Sequence, residues 1–297
     1  MNKAFFKYVS ALLLFGSNGI VASLIDLNSY EIVLLRTLIG SFFLIAIFFL
    51  SRGKLTFWKH RKDSAFLIVS GIAMGTSWMF LYEAYTQIGV SVASLCYYCG
   101  PVIVMILAPL LFKEKLTFTK SIGFLAVLIG IFLVNGYGAA AANRFGLLCG
   151  LASAVMYAFM VIFNKKAASI TNLENSALQL FIAFATVAVF VGFKQGFIID
   201  IPAESVLPIF VLGLLNTGIG CYLYFSSIGK IPVQTVAICG YLEPLSAVLF
   251  SVIFLREALL PLQIFGAFLI IGGAIFSECV KTKAQHTLPD QKPQTQS

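Results

Sequence analysis

Ten long apolar runs, separated by short polar segments, constrain this 297-residue chain more than any other feature. A helix needs roughly 20 apolar residues to cross a hydrocarbon core of about 30 Å. The strands of a membrane β-barrel would instead alternate in segments of about ten residues. The sequence therefore predicts an all-α integral membrane protein with ten transmembrane helices. They cover about residues 5–25, 30–50, 65–87, 90–112, 121–138, 145–164, 175–193, 205–227, 233–255 and 261–280.

The charge content agrees with a lipid-facing surface. Only 11% of the residues are charged and 60% are hydrophobic, whereas soluble domains contain about 25% charged residues. The net charge of +8 comes from short loops between apolar runs and not from a basic stripe on a soluble domain. We therefore expect a lipid bilayer, and no nucleic acid, as the partner of this surface.

The distribution of Lys and Arg predicts the orientation. With the N-terminus in the cytoplasm, sixteen of the 20 basic residues fall on the inside, and only Arg144, Lys194 and Arg256 fall outside. Cytoplasmic loops carry such an excess of Lys and Arg. Both termini are thus predicted to be cytoplasmic. Residues 281–297 are polar and aperiodic, which predicts a disordered cytoplasmic tail.

An internal repeat relates the two halves of the chain at an offset of 143 residues. The matched positions are Pro101 with Pro244, Glu114 with Glu257, Gly123 with Gly266, and Gly130 with Gly273. Residues 1–138 and 139–280 are therefore predicted to be repeats of five helices each. Because five is odd, the second repeat enters the membrane inverted. Carriers built in this way bind substrate near the midplane between the repeats.

The chain resembles the drug/metabolite transporter superfamily, and specifically proteins with two EamA-type domains. The resemblance lies in VASLCYYCGPVIVMILAPLLFKEKL and TVAICGYLEPLSAVLFSVIFLREAL, in Leu242-Glu243-Pro244, in Arg36 of RTLIGS and in Phe15-Gly16-Ser17-Asn18. Phe15 departs from the usual Trp, and Lys113-Glu114 from the common Gly-Glu. The resemblance covers about residues 8–280 and implies an exporter of small metabolites, but it does not specify the substrate.

Glu243 is predicted to lie close to the membrane midplane, where a charge costs at least about 2.5–3.5 kcal/mol. The next residue, Pro244, lacks an N–H and should kink the helix and free the carbonyl of Gly240. Pro101 repeats this kink in the first half. Glu243 is either a proton or cation site, or the partner of an amine substrate, or a buried residue that hydrogen-bonds neighbouring helices.

Arg36 and Glu83 are predicted at matching depth in the outer third of the membrane. An unpaired charge is expensive there, so a buried salt bridge is the leading hypothesis. The alternative is that both line a cavity, where Arg36 holds a substrate carboxylate.

Several aromatic and amide side chains are further candidates for substrate binding. Tyr97, Tyr98 and Tyr241 lie too deep for a membrane-interface belt, whereas Tyr85 and Trp58 fit one. The remaining candidates are Trp78 and, with weaker support, Asn18 and Asn216. Glu114 and Glu257 are predicted to close helix ends, and Cys96 and Cys99 to pack in an apolar helix without binding metal.

The sequence contains no P-loop, HExxH or GxSxG motif, so we expect neither enzymatic activity nor a metal or cofactor. It predicts a secondary transporter that moves small polar or amphipathic metabolites, such as amino acids, amines or drug-like compounds, with proton coupling through Glu243 as one option. A bacterial inner membrane is the expected location, and a monomer or homodimer the expected state. The alternative is a non-transporting membrane scaffold or intramembrane subunit.

Overall fold

The computed structural model describes residues 3–114, 117–135, 143–255 and 261–279, and these residues form helices and connecting loops. The helices are α1 (Lys3–Gly16), α2 (Asn18–Ala22), α3 (Ser29–Leu50), α4 (Arg61–Tyr97), α5 (Cys99–Phe112), α6 (Phe118–Asn135), α7 (Arg144–Lys166), α8 (Asn172–Lys194), α9 (Ala203–Val211), α10 (Gly220–Ile228), α11 (Val233–Cys239), α12 (Leu242–Leu255) and α13 (Pro261–Cys279). A π-helix, Leu212–Ile219, joins α9 to α10, and a short 3-10 turn, Phe57–Lys59, precedes α4.

Seven helical segments of the described chain are long and apolar enough to cross a membrane. They are Lys3–Ala22, Ser29–Leu50, Arg61–Ile88, Arg144–Lys166, Asn172–Lys194, Ala203–Ile228 and Val233–Phe254. Shorter apolar helices occupy Cys99–Phe112, Phe118–Leu133 and Ile264–Phe276. The predicted all-α integral membrane class is confirmed, while the number of ten spans and the side of the termini stay predictions. The predicted tail, residues 281–297, lies outside the described residues.

Helix α4 remains helical at residues 87–90, where the sequence predicted a loop between two spans. Its contacts nevertheless show that the chain reverses direction there. Along α4 and the start of α5 the partners on α7 are, in order, Ser70 with Met160, Ser77 with Ser153, Ile88 with Gly146, Cys96 with Gly150, and Gly100 with Tyr157. The residue numbers of these partners on α7 fall from 160 to 146 and then rise to 157. The first part of α4 therefore runs antiparallel to α7, and the last part runs parallel to it.

Four glycines allow α6 and α13 to pack closely. A Cβ atom at Gly130 would lie 2.6 Å from the carbonyl oxygen of Gly266, and one at Gly273 would lie 2.5 Å from that of Gly123. The two helices therefore cross antiparallel with their backbones in contact, as small residues permit between membrane helices. These glycines are the positions that match at the offset of 143 residues.

Both predicted proline kinks coincide with helix breaks three residues before the proline. Helix α4 ends at Tyr97 and α5 begins at Cys99, ahead of Pro101; α11 ends at Cys239 and α12 begins at Leu242, ahead of Pro244. The expectation that the Gly240 carbonyl is freed is wrong. The chain tightens at the break, and this carbonyl accepts a hydrogen bond of 3.2 Å from the backbone N–H of Glu243.

Candidate functional site

A cavity of about 470 Å³ lies inside the helical bundle. Helices from both halves of the chain contribute to its wall. Of the residues predicted as site candidates, the lining includes Glu243, Arg36, Tyr97, Tyr98, Trp78 and Asn18. Residues far apart in sequence thus meet around one space, which is the size expected of a small-molecule site.

Glu243 presents its carboxylate to this cavity from the first turn of α12. The side chain is half-buried, and its backbone carbonyl accepts a hydrogen bond of 2.8 Å from the Ser246 hydroxyl. Within the described ranges, no group donates a hydrogen bond to the carboxylate, and no Lys or Arg forms an ion pair with it. The carboxylate is therefore available to a ligand, a proton or water.

Arg36 lies on another side of the same cavity and is held rigidly. It is buried, with 7% of its surface exposed. Its Nε donates a hydrogen bond of 2.9 Å to Oγ1 of Thr217, and its guanidinium carbon lies 5.1 Å from the centroid of the Trp78 ring. Thr217 belongs to the π-helix, and its hydroxyl donates in turn to the carbonyl of Leu212 at 2.8 Å.

The predicted salt bridge between Arg36 and Glu83 is wrong. Glu83 pairs instead with Lys194 at the end of α8, at 2.5 Å, and also accepts a hydrogen bond from the hydroxyl of Tyr30. Each of the two side chains instead contacts a residue from the second half of the chain: Arg36 contacts Thr217, and Glu83 contacts Lys194. Among the described residues, the Arg36 guanidinium has no carboxylate within 4.0 Å.

Aromatic rings form much of the cavity wall. Tyr97 lies against Tyr157, with ring centroids 5.3 Å apart, and against Tyr98, with centroids 5.8 Å apart. The hydroxyls of Tyr157 and Tyr224 lie 3.4 Å apart. Such rings provide an apolar surface and faces that attract cations, while the hydroxyls bind polar groups.

Besides Glu83, four predicted candidates lie outside the lining. Tyr241 is fully buried, and its hydroxyl donates to the backbone carbonyl of Tyr98 at 2.6 Å. Asn216 donates to the carbonyl of Leu14 at 2.9 Å and to the Ser17 hydroxyl at 2.7 Å. Pro101 and Pro244 are buried at the helix breaks. Tyr241 and Asn216 thus join helices that carry lining residues.

Asn18, by contrast, keeps an unused polar atom. Its Oδ1 is buried without a hydrogen-bond partner among the residues that the structure describes, and the residue lines the cavity. A buried acceptor without a partner costs free energy, so a donor on a bound ligand would stabilise this position.

Several lining residues were not among the predicted site candidates. Tyr85, expected in an interfacial belt, lines the cavity together with Tyr82, Tyr157 and Tyr224. Tyr157 lies near the middle of α7, and this central position is the sequence signal that could have identified it. Tyr224 lies four residues from the end of α10, so its position gave no such signal.

The cavity lies toward one end of the bundle. Its lining reaches Ala22 and Ser29, which flank the loop 23–28. At the opposite end, the Tyr8 hydroxyl donates to the carbonyl of Val236 at 2.8 Å, which is a contact between the two halves.

Glu114 also joins the two halves at that end. Its carboxylate accepts hydrogen bonds from the backbone N–H groups of Val233, at 2.8 Å, and Gln234, at 3.1 Å. Lys165 lies 3.9 Å from the same carboxylate. Glu114 was expected to close the end of its own helix, but it caps the start of α11 in the other half instead. Glu257 lies outside the described residues.

No cluster of three or more His, Cys, Asp or Glu side chains suited to a metal occurs in the described part of the chain. Cys96 and Cys99 flank the lining residues Tyr97 and Tyr98 in sequence, and Cys96 packs against Gly150 of α7.

The comparisons with known proteins agree with this architecture. A family model described as the EamA-like transporter family matches residues 3–136 and again residues 144–278. The uncharacterized transporter YxxF of Bacillus subtilis is 24% identical over 255 residues, which cover 84% of this chain and 81% of the relative. An uncharacterized transporter of Haemophilus influenzae is 25% identical over 268 residues, covering 84% and 86%. One solved crystal structure has the same fold, with a TM-score of 0.80 and 20% identity over 93% of this chain and 98% of that one.

Proposed function

The chain belongs to the EamA-like transporter family, and on that premise we propose that it is a secondary transporter that exports small polar or amphipathic metabolites across the plasma membrane by alternating access. Amino acids, amines and drug-like compounds are the substrate classes. One observation carries the proposal: a cavity of about 470 Å³ that combines Arg36 and Glu243 with an aromatic wall inside a membrane protein.

The free-energy cost of the two charges supports a binding role. Each charged side chain costs at least about 2.5–3.5 kcal/mol deep in a membrane. Neither Arg36 nor Glu243 has an oppositely charged partner within 4.0 Å among the described residues. A substrate with a carboxylate and an ammonium group would supply both partners, and the aromatic wall would bind its apolar part.

The shape of the cavity supports alternating access. It reaches the end of the bundle at the loop 23–28, which the distribution of basic residues predicts to be outside. The other end is closed by Tyr8, Glu114 and Lys165, which contact the segment 231–236. This arrangement fits an outward-open state of two inverted repeats. Rocking of one repeat against the other would break these contacts and open the inner end.

Proton coupling fits the same site. Of the described residues that line the cavity, Glu243 alone is acidic. A proton on its carboxylate removes the charge that would attract an ammonium group. Proton and substrate would therefore compete for Glu243, and the inward movement of protons would drive export.

The test compares wild type with Glu243→Gln, and with Glu204→Gln as a matched control at an exposed position. Purified proteins are screened by thermal stability against amino acids, amines and nucleotides, because a ligand that binds only the folded state raises the melting temperature. Flux of each hit is then measured in proteoliposomes with and without a proton gradient.

A hit that is lost in Glu243→Gln but kept in Glu204→Gln, together with flux driven by protons, would support the whole proposal. A hit retained in Glu243→Gln would remove Glu243 from the binding site. Absence of flux for every hit, with a fixed partner that co-purifies, would favour a non-transporting scaffold.

A further inference from the structure

A second, smaller cavity lies on the surface that faces lipid, away from the central one. It is a groove of about 190 Å³ between the end of α3 and the start of α8. Its walls are the side chains of Ile45, Phe48, Phe49, Ala177, Leu178 and Phe181. Phe49 and Phe181 are 61% and 40% exposed. The groove therefore opens sideways toward the bilayer and is lined by hydrocarbon.

The loop 51–60 covers one end of this groove and is fixed in place. Leu55 completes the apolar lining. The buried Glu174 of α8 accepts hydrogen bonds from the backbone N–H groups of Thr56, at 2.5 Å, and Phe57, at 2.8 Å. The Thr56 hydroxyl donates to the second oxygen of the same carboxylate at 2.7 Å. The loop thus has a defined position relative to the groove.

The same loop and the first turn of α4 carry a dense positive charge. Five exposed cations lie within eleven residues: Arg52, Lys54, Lys59, Arg61 and Lys62. In the part of the chain that the structure describes, none of them has a carboxylate within 4.0 Å. Trp58, between them, is 75% exposed, as suits a side chain at the level of lipid headgroups.

We propose that this groove binds one anionic phospholipid, with an acyl chain along the apolar walls and the headgroup phosphate against Arg52 and Lys54. Basic clusters next to a membrane helix attract anionic headgroups. The apolar groove beside the cluster distinguishes a bound lipid from a diffuse ion atmosphere, because only a molecule with both parts matches both surfaces. The site is separate from the central cavity and does not depend on which substrate is transported.

The test uses purified full-length protein, phosphatidylglycerol and phosphatidylcholine with identical acyl chains, and binding measured by native mass spectrometry. Wild type should bind phosphatidylglycerol about tenfold more tightly than phosphatidylcholine. The double variant Arg52→Gln/Lys54→Gln should lose this preference. The control Lys3→Gln/Lys7→Gln removes two cations from α1, elsewhere on the predicted inner side, and should keep it.

A second variant, Leu178→Trp, fills the groove from a partly exposed position without removing charge. It should weaken binding of both lipids, provided that its melting temperature without lipid matches that of wild type. If it fails that condition, the double variant and its control decide the question alone. Equal affinity of wild type for the two lipids, or equal losses in the double variant and its control, would overturn the proposal. Binding of free glycerol phosphate as tight as that of phosphatidylglycerol would also overturn it, because the apolar groove would then contribute nothing to lipid binding.

Discussion

The hydroxyl of Tyr241 donates a hydrogen bond of 2.6 Å to the backbone carbonyl of Tyr98, a residue that lies 143 positions earlier in the chain. That separation equals the offset between the two sequence repeats. Both residues lie at the helix breaks that precede Pro101 and Pro244. The bond therefore joins the two broken helices at corresponding positions, next to the cavity that Tyr98 and Glu243 line.

Removal of that hydroxyl should destabilise the protein. Tyr241→Phe leaves the ring in place but takes the donor from the Tyr98 carbonyl, and the loss of one partner of a buried hydrogen bond costs about 1–3 kcal/mol. The measurement is the free energy of unfolding in detergent. Tyr222→Phe is the control, since its hydroxyl has no hydrogen bond to any described residue. Equal stability of both variants would mean that the bond contributes nothing.

Close packing of α6 and α13 can be tested with two adjacent glycines. Gly273→Ala places a Cβ 2.5 Å from the carbonyl oxygen of Gly123, whereas a Cβ at Gly272 meets no atom within 4 Å. Overpacking of this kind costs about 1–3 kcal/mol. We expect Gly273→Ala to lower the melting temperature and Gly272→Ala to leave it unchanged or slightly raised, because Ala favours helix over Gly. Identical effects at the two positions would contradict the observed crossing.

Thr217 should act as a positioning residue for Arg36. Thr217→Val removes the acceptor for Arg36 Nε, whereas Thr217→Ser retains it. With substrates identified as above, Thr217→Val should weaken binding of those with a carboxylate about fivefold to tenfold, and binding of amines without one much less. Thr217→Ser should restore wild-type affinity for both. A uniform loss for every substrate would indicate a structural role alone.

The closed end of the cavity should depend on Glu114. In Glu114→Gln a neutral amide replaces a carboxylate that accepts two backbone hydrogen bonds at the start of α11. Bonds to a charged acceptor are stronger than those to a neutral one, so we expect a loss of about 1–2 kcal/mol in unfolding free energy. Transport should also change, because the contact joins the two halves.

A proteoliposome assay that compares Glu114→Gln with the exposed control Glu204→Gln checks both effects. If stability and flux match the control, the capping contact does not hold the inner end closed.

Local features of the sequence predicted the fold class but only part of the site. Glu243, Tyr97 and Tyr98, which line the cavity, could be chosen from the sequence. The depth of a residue in the membrane follows from its position along a helix, which rises 1.5 Å per residue. Tyr241 was chosen for the same predicted depth, but its side chain is fully buried between helices and does not line the cavity. Depth alone does not say which side of a helix faces a cavity, and helices that are apolar on every side give no periodicity from which to infer it.

The sequence by itself determined the all-helical membrane class, since the transfer of apolar segments into lipid is nearly additive along the chain and needs no knowledge of neighbours. The resemblance to the EamA-like transporter family came from separate sequence motifs, among them Leu242-Glu243-Pro244. Only the tertiary structure decided which charges meet. Arg36 and Glu83 were expected to pair because the sequence predicts similar depths for them, but the helices of the second half bring Thr217 to Arg36 and Lys194 to Glu83. Pairing depends on the rotation and contacts of several packed helices together, and that information is not contained in any single segment.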